Sequence, residues 1–177
     1  MARIIFIYGL VAGLIIIAGI IGTVALAGDQ PHGNVWLGYL IMLLGMSAVF
    51  MGVKRYRDHE RGGVIRFLPA LGVGLAIALL ASLAYVLVWE IYLAATDYAF
   101  MDQYITATLE ARGAEGLSGE AYRQLEASYR EMAVAYQSPL YRLPMTFAEI
   151  FPVGLLVSIV SAILLRNSRF LPARARA

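Results

Sequence analysis

Glu90 and Glu149 are the two acids set inside, or at the end of, long apolar runs, in Val88-Trp89-Glu90-Ile91-Tyr92 and Phe147-Ala148-Glu149-Ile150-Phe151-Pro152. An ionised carboxylate is costly in an apolar medium, so an acid at such a position faces water, a cation or another polar group. Two arrangements satisfy that requirement. Facing each other, the pair could share or relay a proton, as coupled carboxylates do. Lying apart at the edges of the apolar runs, each would be hydrogen-bonded to a tyrosine, to Trp89 or to Arg142. Pro152, three residues beyond Glu149, removes a backbone donor and clashes with the carbonyl of Ala148, so a kink or a helix start falls there. A carbonyl opened beside a carboxylate could bind a cation or a water. Glu90, Glu149, Pro152 and Arg142 are therefore the candidate proton, ion or polar-network residues.

Other chemistry lacks its residues. Asp29 and His32 in Gly28-Asp29-Gln30-Pro31-His32-Gly33-Asn34 are too few ligands to close a metal site, and His59 falls in a different link. The chain of 177 residues has no cysteine, which excludes disulfides, thiolate ligands and cysteine nucleophiles. It contains no GxSxG, HExxH, P-loop or GxGxxG context, and Gly72-Val73-Gly74 lies inside an apolar run, where it serves packing. The reading is a protein that is not an enzyme and needs neither cofactor nor metal.

The elements that carry these residues are four apolar stretches at about 4–27, 35–53, 67–95 and 144–165. A hydrocarbon core about 30 Å thick takes roughly 20 apolar residues of helix, and lipid leaves the backbone no partner but itself. With 60% apolar and 15% charged residues, the chain reads as one all-α membrane domain over 1–177, a four-transmembrane-helix bundle. Arg3, a long apolar run and Ala25-Leu26-Ala27 imitate a secretory signal with its cleavage site, but the run exceeds the h-region length of about 7 to 15 residues, so the first span should be retained.

Charge sets the orientation. Arg3, the link carrying Lys54, Arg55, Arg57, Arg61 and Arg66, and the tail with Arg166, Arg169, Arg174 and Arg176 should be cytoplasmic. The link Gly28 to Asn34 has no Lys or Arg, and the long insert 96–143 is acidic overall, so both belong outside. A bacterial inner membrane with both termini in the cytoplasm fits this pattern. The net charge of +2 gives no reason to expect nucleic acid. The basic link is expected to anchor the topology on anionic lipid, with docking of a cytoplasmic partner or a lipid head group as the alternative.

Within the insert, apolar residues at Tyr98, Met101, Ile105 and Leu109, and again at Tyr122, Leu125, Tyr129, Met132 and Tyr136, recur at helical spacing. They predict an extracytoplasmic amphipathic helical hairpin between helices 3 and 4, broken at Gly113 to Gly119, with Ser118 as N-cap and Ser138-Pro139 as the stop. Its first helix should run on directly from the third span, and the fourth span should start near Pro144 with Thr146 as a cap. Gly9 and Gly13, the seven-residue stripe Gly38, Gly45 and Gly52, and Gly74 mark helix-packing faces, serving either the bundle itself or a homodimer seam.

Two motifs add a resemblance. Gly52-Val53-Lys54-Arg55-Tyr56-Arg57-Asp58 followed by Gly62-Gly63-Val64-Ile65, and Glu149-Ile150-Phe151-Pro152-Val153-Gly154-Leu155, resemble small bacterial membrane proteins grouped as domain of unknown function family forty-one ninety-nine. Tyr8 to Gly13 and Ala81 to Val86 are similar too, so the likeness covers most of the chain. It implies a four-helix inner-membrane protein with an external helical insert and supplies no activity and no catalytic residue. The expected role is that of a non-enzymatic structural or accessory protein that self-associates as a homodimer or other homo-oligomer, with membrane lipids and a possible extracytoplasmic protein as partners. The alternative is a small proton-coupled carrier or channel using Glu90 and Glu149.

Overall fold

In the computed structural model the described residues, 1–27 and 35–173, form six helices and no strand. They are α1 (Ala2–Ala27), α2 (Val35–Glu60), α3 (Phe67–Ala95), α4 (Phe100–Ala114), α5 (Gly119–Gln137) and α6 (Pro139–Leu165). Four are long and apolar enough to cross a membrane: Ala2–Thr23, Trp36–Glu60, Phe67–Ala95 and Pro139–Leu165. These helices are apolar on every side, so Phe6, Leu14, Leu44, Leu83, Leu87 and Leu156 stay exposed on the outside of the bundle, where lipid would meet them.

Helix α3 packs against α1 and α6, and α2 closes the bundle against α1 and α6. The core between them is built from Ile16, Met46, Val49, Val53, Ile77, Ala81, Ile150 and Ala162, all fully buried. Small residues set the close approaches. A Cβ added to Gly154 would lie 2.7 Å from the Ala78 Cβ, one on Gly52 would lie 2.5 Å from Ile77, and one on Gly74 would lie 3.0 Å from Ser158. Gly9 faces Leu80, Gly13 faces Ala84, and Gly45 faces Ile16. Five of the six predicted packing glycines are thus filled by the chain's own helices. Gly38 is not filled within the chain: nothing lies within 4 Å of where its Cβ would be. The buried serines need no outside partner, since Ser82 donates to the Ala78 carbonyl, Ser158 to Gly154 and Ser161 to Val157.

The bundle has two distinct ends. At one, the Met1 amino group pairs with Glu60, and the chain after α6 returns to the end of α2, so the starts of α1 and α3 and the ends of α2 and α6 lie together. Gly62 (φ +61°) and Gly63 (φ +86°) reverse the chain between α2 and α3 with backbone angles that L side chains resist. At the other end, α4 and α5 pack together as a hairpin, and α5 packs on α6.

Two boundaries differ from the sequence reading, and a predicted cap lacks its bond. The first hairpin helix does not continue from α3. Asp97 (φ 51°) and Tyr98 (φ 56°) are left-handed, the Tyr98 N–H donates to the Leu93 carbonyl (2.8 Å) and the Asp97 N–H to Ala94 (3.4 Å), the paired bonds that close a helix when its following residue turns left-handed. Asp performs the turn where Gly would have signalled it. The fourth long helix starts at Pro139, not near Pro144, because proline without an N–H suits a first helical position; Pro144 and Pro152 both lie inside it, and Thr146 is buried in its interior instead of capping it. Ser118 occupies the N-cap position of α5 in extended conformation without a side-chain capping bond.

Candidate functional site: an arginine clamp and a carboxylate groove

Arg142 is the centre of the hairpin end. Its Nε donates to Glu90 Oε1 at 2.6 Å and its Nη2 to Glu90 Oε2 at 2.8 Å, a two-bond fork that uses both carboxylate oxygens. Its Nη1 donates to the carbonyls of Tyr136 (2.8 Å) and Gln137 (3.2 Å), which end α5 and have no helical donor of their own. The guanidinium also lies over the rings of Tyr98, at 5.0 Å, and Tyr136, at 5.7 Å. One buried cation therefore ties together α3, the α3–α4 turn, the end of α5 and the start of α6. The left-handed backbone at Tyr98 belongs to this arrangement, since it delivers the ring beneath Arg142.

A second bond reinforces the clamp. Trp89 Nε1 donates to the Tyr136 hydroxyl at 3.0 Å, and the indole stacks on Tyr92 and meets Phe100 edge-on, with ring centroids 5.2 and 5.0 Å apart. Burial pushes the Tyr136 hydroxyl above the ordinary tyrosine range, while the Trp89 hydrogen bond works in the opposite direction. The phenol thus stays neutral at physiological pH and accepts the indole proton as a fixed cross-brace.

Glu149 is placed differently. It makes no hydrogen bond or ion pair among the described residues, and its carboxylate lines a groove of about 400 Å³ that also touches Ile20 and Thr23 of α1 and Gly38 of α2. The aromatic wall of the groove comes from Tyr85, Trp89, Phe100, Tyr104 and Tyr136. Four methionines, Met42, Met101, Met132 and Met145, complete it. Glu149 is the one charged residue among these lining groups. Glu90 is bound to Arg142 and does not line the groove, so the two acids hold separate posts.

Pro152 lies one turn deeper, between Glu149 and the Gly154–Ala78 contact, and leaves the Ala148 carbonyl without its helical donor. Asp29 and His32 lie outside the described residues, as do Arg174 and Arg176. Among the described residues no group of three His, Cys, Asp or Glu side chains could hold a metal.

The basic end holds a correction. Lys54, Arg55, Arg61 and Arg66 are partly or fully exposed, but Arg57 is completely buried and is no lipid-facing anchor. It donates from Nε to Asp58 (2.7 Å) and from its two terminal nitrogens to the carbonyls of Phe170 and Leu171, the latter left-handed at φ 45°. Asp58 takes a further bond from Lys54. Five guanidinium donors allow one arginine to bind a carboxylate and two carbonyls together, so the link holds the tail in place. An arginine among four other basic residues gave no sign of this in sequence, because the tail that satisfies it is more than a hundred residues away. The Trp89–Tyr136 brace was hidden in a similar way, its two ends lying 47 residues apart in sequence.

Four apolar spans, a clamped helical hairpin between the third and fourth, and a basic opposite end define a multi-pass helical membrane protein. The chain belongs to the family described as protein of unknown function (DUF4199), whose model matches residues 7–167. The match runs from α1 to just beyond α6 and takes in both motifs quoted above, the hairpin included. No curated protein and no solved structure matches the chain.

Proposed function

We propose that this is a non-enzymatic accessory protein of a bacterial inner membrane, with both termini in the cytoplasm and residues 96–143 outside, which displays its hairpin to an extracytoplasmic protein or to a second copy of itself. The observation that carries this reading is the clamp: Arg142 uses all three guanidinium nitrogens to fix the hairpin to the spans, which suits a rigid display surface. The displayed surface has a groove of about 500 Å³ between α4 and α5, where Asp102, Glu110 and Glu126 outnumber Arg130, itself paired with Glu126. A basic surface on the partner would complement it. The small-residue faces are mostly consumed inside the bundle, so self-association is assigned to the hairpin, with exposed basic groups of the link on anionic lipid.

A photoreactive maleimide on Thr106→Cys, unique in a chain without cysteine, tests this in native membranes. Adducts to a second copy or to one other protein are expected, and Glu110→Lys with Glu126→Lys should remove them. No adduct, or an adduct indifferent to charge reversal, refutes the reading.

One observation favours a second reading, a small proton-coupled carrier: Glu149 is an unpartnered acid within a span. With Glu90 held by Arg142, Glu149 would carry the proton alone. Proton flux into liposomes that is unchanged by Glu149→Gln removes this reading.

A further inference from the structure

Whatever docks on the hairpin, the groove around Glu149 is a separate feature with its own chemistry. A slot for a lipid tail would need no charge, and an ion path would need more than one charged group beside neutral hydroxyls. Here a single negative charge lies among aromatic rings and thioethers. A metal ion is poorly served, since the described lining offers one carboxylate beside neutral hydroxyls and no second carboxylate or imidazole. An anion would meet Glu149 with no cation among the described lining residues to offset it.

A cation with an apolar body fits on every count. Its charge balances a carboxylate that otherwise has no partner, ring faces such as Tyr104 and Phe100 attract cations through their quadrupole, and unbranched methionines such as Met101 and Met145 adapt to irregular apolar shapes. A volume of about 400 Å³ falls within the range of small-ligand pockets. We propose that this groove binds a lipophilic organic cation, with Glu149 as its counter-ion and the aromatic and methionine walls holding its apolar body.

The test is equilibrium binding of tetraphenylphosphonium to the full chain in detergent, beside tetraphenylborate, which has the same shape and the opposite charge. The phosphonium should bind saturably and the borate should not. Glu149→Gln should weaken phosphonium binding at least tenfold, and Glu131→Gln on the hairpin surface should leave it unchanged. Trp36→Phe leaves Trp89 as the sole tryptophan, so binding should also quench its emission. A Glu149→Gln, Trp36→Phe protein that keeps the unliganded Trp89 spectrum has kept the groove, which separates lost affinity from lost fold. Equal affinity after Glu149→Gln, equal binding of the borate, or no saturable phosphonium binding overturns the proposal. Quenching by phosphatidylethanolamine with none by the phosphonium assigns the groove to lipid and overturns it as well.

Discussion

Arg142 and Arg57 occupy opposite ends of the molecule and solve the same problem. Each is buried, each binds a carboxylate, and each donates further N–H groups to backbone carbonyls at or beyond a helix end. A lysine could not repeat this, because its ammonium lacks the planar fork. Removing Arg142 would leave Glu90 and the end of α5 without their donor. Breaking a buried pair costs about 3–5 kcal/mol, and the partial exposure of Glu90 places Arg142→Ala near the lower figure. The expected result is a hairpin cut by protease in Arg142→Ala proteoliposomes under conditions where the parent protein resists, with Arg142→Lys intermediate. Equal resistance in all three would show that the clamp does not hold the hairpin.

Among the elements, the spans and the hairpin helices differ in how far the sequence announces them. Long apolar runs specify the spans because burial in lipid acts on composition alone. Boundaries were less legible: the stop after Ala95 depends on Asp97 in a left-handed conformation, and the start at Pro139 on a proline that also reads as a stop. The glycine faces were visible as spacing, but which neighbour fills each one is decided by the packing of helices distant in sequence. That packing makes a contrast testable. Gly154→Val would drive side-chain atoms into Ala78 and Met46 and should destabilise the bundle by about 1–3 kcal/mol, the usual range for overpacking. Gly72, with nothing within 4 Å, should accept Ala with a change within about 0.5 kcal/mol. Unfolding in detergent monitored by tryptophan emission distinguishes the two, and equal effects would contradict the packing described.

For the whole molecule, the separation of its ends matters most. Exposed Arg55, Arg61, Arg66, Arg166 and Arg169 gather at one end, and the acidic hairpin with its clamp and carboxylate groove stands at the other. Glu90, Glu149 and Pro152 were legible as unusual residues in apolar surroundings, and Arg142 as a possible partner of the acids. Their division into a closed ion pair and an open groove was not, because both depend on how α5 returns onto the spans. The basic link was legible as charge, and its buried member Arg57 was not, since burial there comes from a tail that hydropathy treats as solvent-exposed.

The proposed orientation puts the hairpin end outward and the basic end inward, following the arginine bias. Single cysteines at Ala114→Cys on the exposed hairpin tip and at Ser168→Cys on the exposed basic end can be probed in spheroplasts with a membrane-impermeant maleimide. Position 114 should label in intact spheroplasts and position 168 only after the membrane is opened. Labelling of 168 in intact spheroplasts with protection of 114 would contradict the account.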